Sequence, residues 1–141
     1  MFKEPVKAAL FDMDGLLIDS EAVYIKAMQA AAQSFKLEMP LEFCHSMVGI
    51  PRAECNVMIQ ELYGEGFNLE EFRGVYSANV SQLMEARVPI KAGVVEVLDL
   101  LAERGIPCGV ATSALRATAE SHLGRAGLLP RFATLVARIH R

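Results

Sequence analysis

The chain has no tryptophan, and its three cysteines, Cys44, Cys55 and Cys108, contain no CxxC pair. An odd, scattered set of this kind argues against a disulfide framework and against a cysteine zinc site. The thiols read as small core hydrophobes kept reduced, which makes a cytoplasmic location the expectation. No apolar run approaches the ~20 residues a membrane span needs, so no membrane association is expected. Lys3 and Lys7 precede an apolar stretch, but Asp12 and Asp14 interrupt it, and a signal peptide is not expected. The sequence also lacks a basic excess: net charge is −3, with both signs interspersed. That leaves no electrostatic footprint for nucleic acid.

What remains is a globular composition, 52% hydrophobic and 22% charged over 141 residues. This suits one domain, or a small core carrying an inserted subdomain. Val6 to Met13 is a continuous apolar run. It predicts a strand covered on both faces, as in parallel α/β sheets. From about 19 to 86 the apolar spacing is helical and no strand signal intervenes. Four helices are predicted there: Ser20 to Phe35, capped by Asp19 or Ser20; Leu41 to Val48; Pro51 to Leu62; and Leu69 to Ala86. After a turn at 88–93 the pattern alternates. A helix from Val94 ends at Gly105, a strand runs from Ile106 to Ala111 into Thr112 and Ser113, a helix spans Leu115 to about Gly127, and a third strand covers Phe132 to Ala137. The expected architecture is a parallel α/β core formed by residues 1–18 and 87–141, with a helical insert at 19–86.

In a parallel sheet, ligands bind at the carboxyl ends of the strands. Asp12/Asp14 and Thr112/Ser113 are the polar strand tips, so they are expected to share one edge. Residues i and i+2 of a strand point the same way, which would aim both aspartates at one cleft. Two nearby carboxylates repel, so one must meet a cation or hold a proton. Either solution suits phosphoryl transfer. One carboxylate attacks phosphorus, the other moves the proton, Mg²⁺ offsets negative charge, and the Thr112–Ser113 hydroxyls and amides receive phosphate oxygens.

Phe11-Asp12-Met13-Asp14-Gly15, continued to Glu21, resembles the first signature of the haloacid dehalogenase-like (HAD) hydrolases, and Gly109 to Ser113 resembles the second. The similarity is closest to the helical-cap branch of sugar phosphatases and β-phosphoglucomutases. It implies a HAD-like (Rossmannoid) core with the helical insert as cap. It also implies Asp12 as nucleophile, Asp14 as acid/base, and Mg²⁺ held at Asp12 and by the backbone of Asp14. Phosphate would be bound by Thr112 with Ser113, and Arg52 would contact a substrate group from the cap. The substrate class implied is a small phosphorylated metabolite. Asp14 favours phosphate esters over carbon–halogen or carbon–phosphorus bonds, because the branches cleaving those bonds lack this aspartate.

Two further signatures of the family have no match here, a lysine bridging nucleophile and phosphate and an acidic pair completing the metal site. The last lysine is Lys91 and the last aspartate Asp99. Arg138 and Arg141 do not replace a compact ammonium group. The resemblance therefore implies an incomplete, C-terminally truncated core, weakly active or inactive, in which the first strand lies at the sheet edge and invites self-association. Two alternatives stand beside the phosphatase reading. One is a phosphosugar mutase; the other is a non-catalytic remnant that associates through that edge. His45 and His122 read as ordinary residues without ligand spacing, and Glu21 and the tyrosines as helix-start charge and packing.

Overall fold

The computed structural model describes residues 3–139. The chain divides into two compact units, one of Met1–Ser20 and Arg87–Arg141, the other of Glu21–Ala86.

The first unit holds a parallel sheet of order β1-β2-β3, built from β1 (Ala9–Phe11), β2 (Cys108–Leu115) and β3 (Thr134–Arg138). Leu10 is in register with Gly109, and Gly109 with Thr134. Between β2 and β3 the chain forms α6 (Arg116–Arg125), which packs on both strands and buries Ala119 and Leu123. The helix α5 (Val94–Glu103) precedes β2, and Gly105 follows its cap at the expected position. Two further expectations are corrected. The strand tip Thr112–Ser113 is not a strand exit: β2 continues through it to Leu115, with a register irregularity after Ala111. And β1 is not covered on both faces. Its burial alternates, and Leu10 is 67% exposed. A continuous apolar run needs a layer on each side, and the face carrying Leu10 and Val136 is open among the described residues. As expected, β1 pairs with one neighbour only and forms an edge of the described sheet.

That open face explains Gly109. A Cβ placed there would lie 2.7 Å from Thr134 Cγ2 and 3.2 Å from Leu10 Cδ1. The side chains of both neighbouring strands lean over the glycine and shield its backbone. Thr134 is β-branched and has few rotamers to retreat into.

The second unit is all helical: α1 (Ser20–Ser34, its first residue belonging to the other unit), α2 (Leu41–Ser46), α3 (Arg52–Tyr63) and α4 (Leu69–Ala86). Its core gathers Ala31, Ala32, Cys44, Cys55, Ile59 and Phe72. Around Phe72 the rings of Phe35, Phe67 and Tyr63 stack in tilted and edge-on pairs, with centroids 4.9–6.1 Å apart. Tyr63 is more than packing, since its hydroxyl donates to the Glu38 carbonyl at 2.7 Å. Asn68 caps α4 by accepting from the Glu71 amide. The cap expected for α1 is not made. Ser20 Oγ is buried without a partner, and Asp19 faces Lys91 at 4.0 Å.

Arg141, considered as a lysine substitute, lies outside the described residues, as does His140.

Replacing Gly109 by alanine is expected to lower stability by about 1–3 kcal/mol, as an overpacked site does. Chemical denaturation measures this, and the loss should shrink when Thr134→Ser removes the methyl group that clashes.

Candidate active site

Strand β1 ends at Phe11, so Asp12 and Asp14 sit in the turn that follows and not within the strand. The turn is tight. The Met13 carbonyl accepts from the amides of Leu16, Leu17 and Ile18, and the Gly15 amide donates to the Ile18 carbonyl. Gly15 has φ 78°, the left-handed conformation such a reversal requires and side chains resist. Met13, Leu17 and Ile18 are fully buried and anchor the turn from beneath.

This geometry gives the two aspartates different surroundings, which strand alternation alone would not. Asp12 is exposed, and its Oδ1 accepts from the Met13 amide at 2.8 Å. Asp14 is half-buried, with Oδ1 removed from solvent and lacking a hydrogen-bond partner. Burial raises the Asp14 pKa above the usual carboxylate value. The Ser20 hydroxyl and His122 oppose that rise, and the charge of Asp12 adds to it. Ser20 Oγ lies near Asp14 but closes no hydrogen bond, so both groups keep an unused bonding capacity.

Ser20 and His122 join the site without a signature in the sequence that assigns them to it. Ser20, only 1% exposed, has the side chain and position of a helix cap. His122 is half-buried on α6, its Nδ1 enclosed without a partner; burial lowers its pKa, Asp14 raises it and Arg125 lowers it further. A signal for His122 does exist: it stands three residues after Ala119 and next to Leu123, on the inward face of α6, where a polar residue is out of pattern.

Thr112 lies on the strand next to β1. Continuing the register Phe11–Val110 by one step sets Asp12 beside Ala111, the residue before Thr112. Thr112 Oγ1 accepts from the Ala114 amide at 3.1 Å, so its hydroxyl shapes the irregular end of β2 and does not cap α6. Ser113 is exposed on the same stretch. Asp12, Asp14, Thr112 and Ser113 thus belong to one unit and one end of the sheet. Arg52 opens α3, exposed, in the helical unit.

Asp12 and Asp14 offer hard oxygen donors, the kind Mg²⁺ takes, and the enclosed Asp14 Oδ1 has no hydrogen-bond partner. Among the described residues no group of three or more histidine, cysteine or acidic side chains gathers around a metal position. Mg²⁺ is commonly held by one or two carboxylates, completed by water and a substrate phosphate, and two aspartates are compatible with that pattern.

A family profile described as haloacid dehalogenase-like hydrolase matches residues 9–140. The chain belongs to this family. It is 26% identical over 131 residues to a phosphorylated carbohydrates phosphatase of Thermotoga maritima, covering 93% of this chain and 61% of that protein. It is 28% identical over 109 residues to a probable pseudouridine-5'-phosphatase of Saccharomyces cerevisiae, covering 77% of this chain and 46% of that one. Among solved structures, a putative beta-phosphoglucomutase from Thermotoga maritima superposes with a TM-score of 0.77 at 26% identity, covering 94% of this chain and 61% of the other. The HAD-like fold implied by the resemblance of the two motifs is thereby established, and the chain spans about three fifths or less of the length of these relatives.

The raised Asp14 pKa gives a signed test. Between the ordinary value, 3.8, and the higher folded value, the native state binds more protons than the unfolded chain, so stability falls as pH rises through that window. In metal-free buffer, Asp14→Asn is expected to melt at a higher temperature than the parent near neutral pH. The gap should close below about pH 3, where the unfolded carboxyl is protonated too. Thermal melts across that range decide it.

Proposed function

We propose that this HAD-family chain carries the nucleophile and the acid/base of a Mg²⁺-dependent phosphomonoester hydrolase that acts on a small phosphorylated metabolite of sugar-phosphate type. The observation that carries this reading is the inequality of the two aspartates. An exposed carboxylate stands beside a half-buried carboxyl whose environment favours the protonated form. In the first step an Asp12 oxygen bonds to phosphorus while the phosphorus–alkoxide bond breaks, and the Asp14 proton goes to the leaving oxygen. In the second, Asp14, now a carboxylate, takes a proton from water. That water attacks phosphorus, frees phosphate and restores Asp12. Thr112 and Ser113 receive non-bridging phosphate oxygens. Asp12 and Asp14 would hold Mg²⁺, which would supply positive charge to offset that of the phosphate. The helical unit at residues 21–86 acts as the cap, with Arg52 as its contact to a distal substrate group.

The names of the relatives favour phosphate release, while the likeness to a putative β-phosphoglucomutase keeps phosphosugar transfer as a second reading.

With Mg²⁺ and acetyl phosphate, the chain is expected to acquire one hydroxylamine-labile phosphoryl group, detected by mass spectrometry and absent in Asp12→Asn. An adduct that survives Asp12→Asn sinks the reading. Conversion of glucose 1-phosphate to glucose 6-phosphate without net phosphate release would select the mutase.

The β1 edge supports a further proposal, pairing with a second copy through the strand that exposes Leu10. Light scattering after size exclusion is expected to report a dimer or larger species, and Leu10→Lys to shift it to monomer. A parent chain that is already monomeric refutes the pairing.

A further inference from the structure

A groove of about 620 Å³ lies within the helical unit, bordered by Arg52 and Asn56 of α3 and by Glu70, Arg73, Gly74 and Ser77 of α4. Its volume falls in the range of small-molecule sites. Two guanidinium groups share it. Arg73 is fixed in place: its Nε donates to Asn56 Oδ1 at 2.7 Å, and its guanidinium carbon stands 5.3 Å from the centre of the Tyr76 ring. Those contacts use one nitrogen and one face of the guanidinium and leave the two terminal nitrogens uncommitted. Among the described residues neither Arg52 nor Arg73 pairs with a carboxylate, although Glu70 stands at the same groove.

Gly74 is the second observation. It occupies the middle of an 18-residue helix, where glycine is less favourable than alanine by about 0.5–1 kcal/mol. Its backbone does not require glycine, since its φ is not positive, and a Cβ there would meet nothing within 4 Å. The space a side chain would take is open and belongs to the groove.

We propose that the α3–α4 groove is a binding site for the phosphate group of a small molecule, held by the Arg73 fork with Arg52 beside it. A planar guanidinium held by Asn56 and an aromatic ring is preorganised for bidentate contact with oxyanions. Burial, and then the nearby charge of Arg52, depress the Arg73 pKa, a repulsion that a bound dianion relieves. Ser77 adds a hydroxyl at the same border. The inference shares Arg52 with the cap contact proposed above, but it uses no strand-tip residue and rests on Arg73, which that reading does not involve.

The test is a titration of the isotopically labelled chain with inorganic phosphate, followed by NMR at constant ionic strength against chloride. Saturable shifts of the Arg73 Nε–Hε signal and of the Gly74 and Ser77 amides are expected. Arg73→Gln should weaken them at least about tenfold, the effect of losing one charge-assisted hydrogen bond. Because Arg73 also packs on Tyr76, a second variant guards against misfolding. Gly74→Glu places a negative side chain in open space, improves helix propensity and should abolish the shifts. Shifts that do not saturate, that chloride reproduces, or that persist in both variants overturn the proposal. Saturable shifts confined to 12–15 and 112–113 would place phosphate at the strand tips alone, which leaves the strand-tip reading intact and removes the groove.

Discussion

The parallel pairing of β1 with β2 is the constraint on which the candidate site depends. It brings two segments far apart in sequence to one end of the sheet and sets the turn after Phe11 beside the irregular end of β2. Gly109 sits in the middle of that pairing, where the side chains of Leu10 and Thr134 close over its backbone. A larger residue there would push apart the strands whose ends carry Asp12 and Thr112. The site is thus positioned by the packing of residues that take no part in its chemistry.

The chemistry proposed for the site rests on a half-buried carboxyl. Three buried polar atoms, on Asp14, Ser20 and His122, lack hydrogen-bond partners. Buried groups of this kind are ordinarily satisfied, and leaving them unsatisfied costs free energy. Such a cluster is a burden on the fold and a resource for the site. It keeps Asp14 inclined to hold a proton and leaves its enclosed Oδ1 without a hydrogen-bond partner. The helical unit is built differently. Its aromatic cluster around Phe72 is apolar and well paired, and the unpaired charge is displaced to the outer groove of α3 and α4.

Much of this was legible in the sequence. The helices of 19–86 follow from apolar residues at helical spacing, and α4 has the expected bounds because Asn68 starts it and no proline stops it before the spacing ends. The strand order along the chain follows from its apolar runs, and the placement of Asp12 and Asp14 just beyond β1 from a run that ends in two acids and a glycine. The sequence was less informative where environments meet. Strand alternation would align the two aspartates, whereas they lie in a turn. The apolar run would cover β1 on both faces, whereas one is open. Ser20 has the chemistry of a cap that the folded chain does not use.

By itself, then, the sequence determined which elements form and which residue types could do chemistry, because periodicity and turn residues act over a few neighbours. Only the tertiary structure decided that Asp12 and Asp14 are inequivalent, that His122 stands near enough to Asp14 to act on its charge, and that Arg73 shares a groove with Arg52. Each of these depends on burial or on proximity between distant segments. Desolvation and charge–charge energy are properties of the packed surroundings, and no local spacing encodes them.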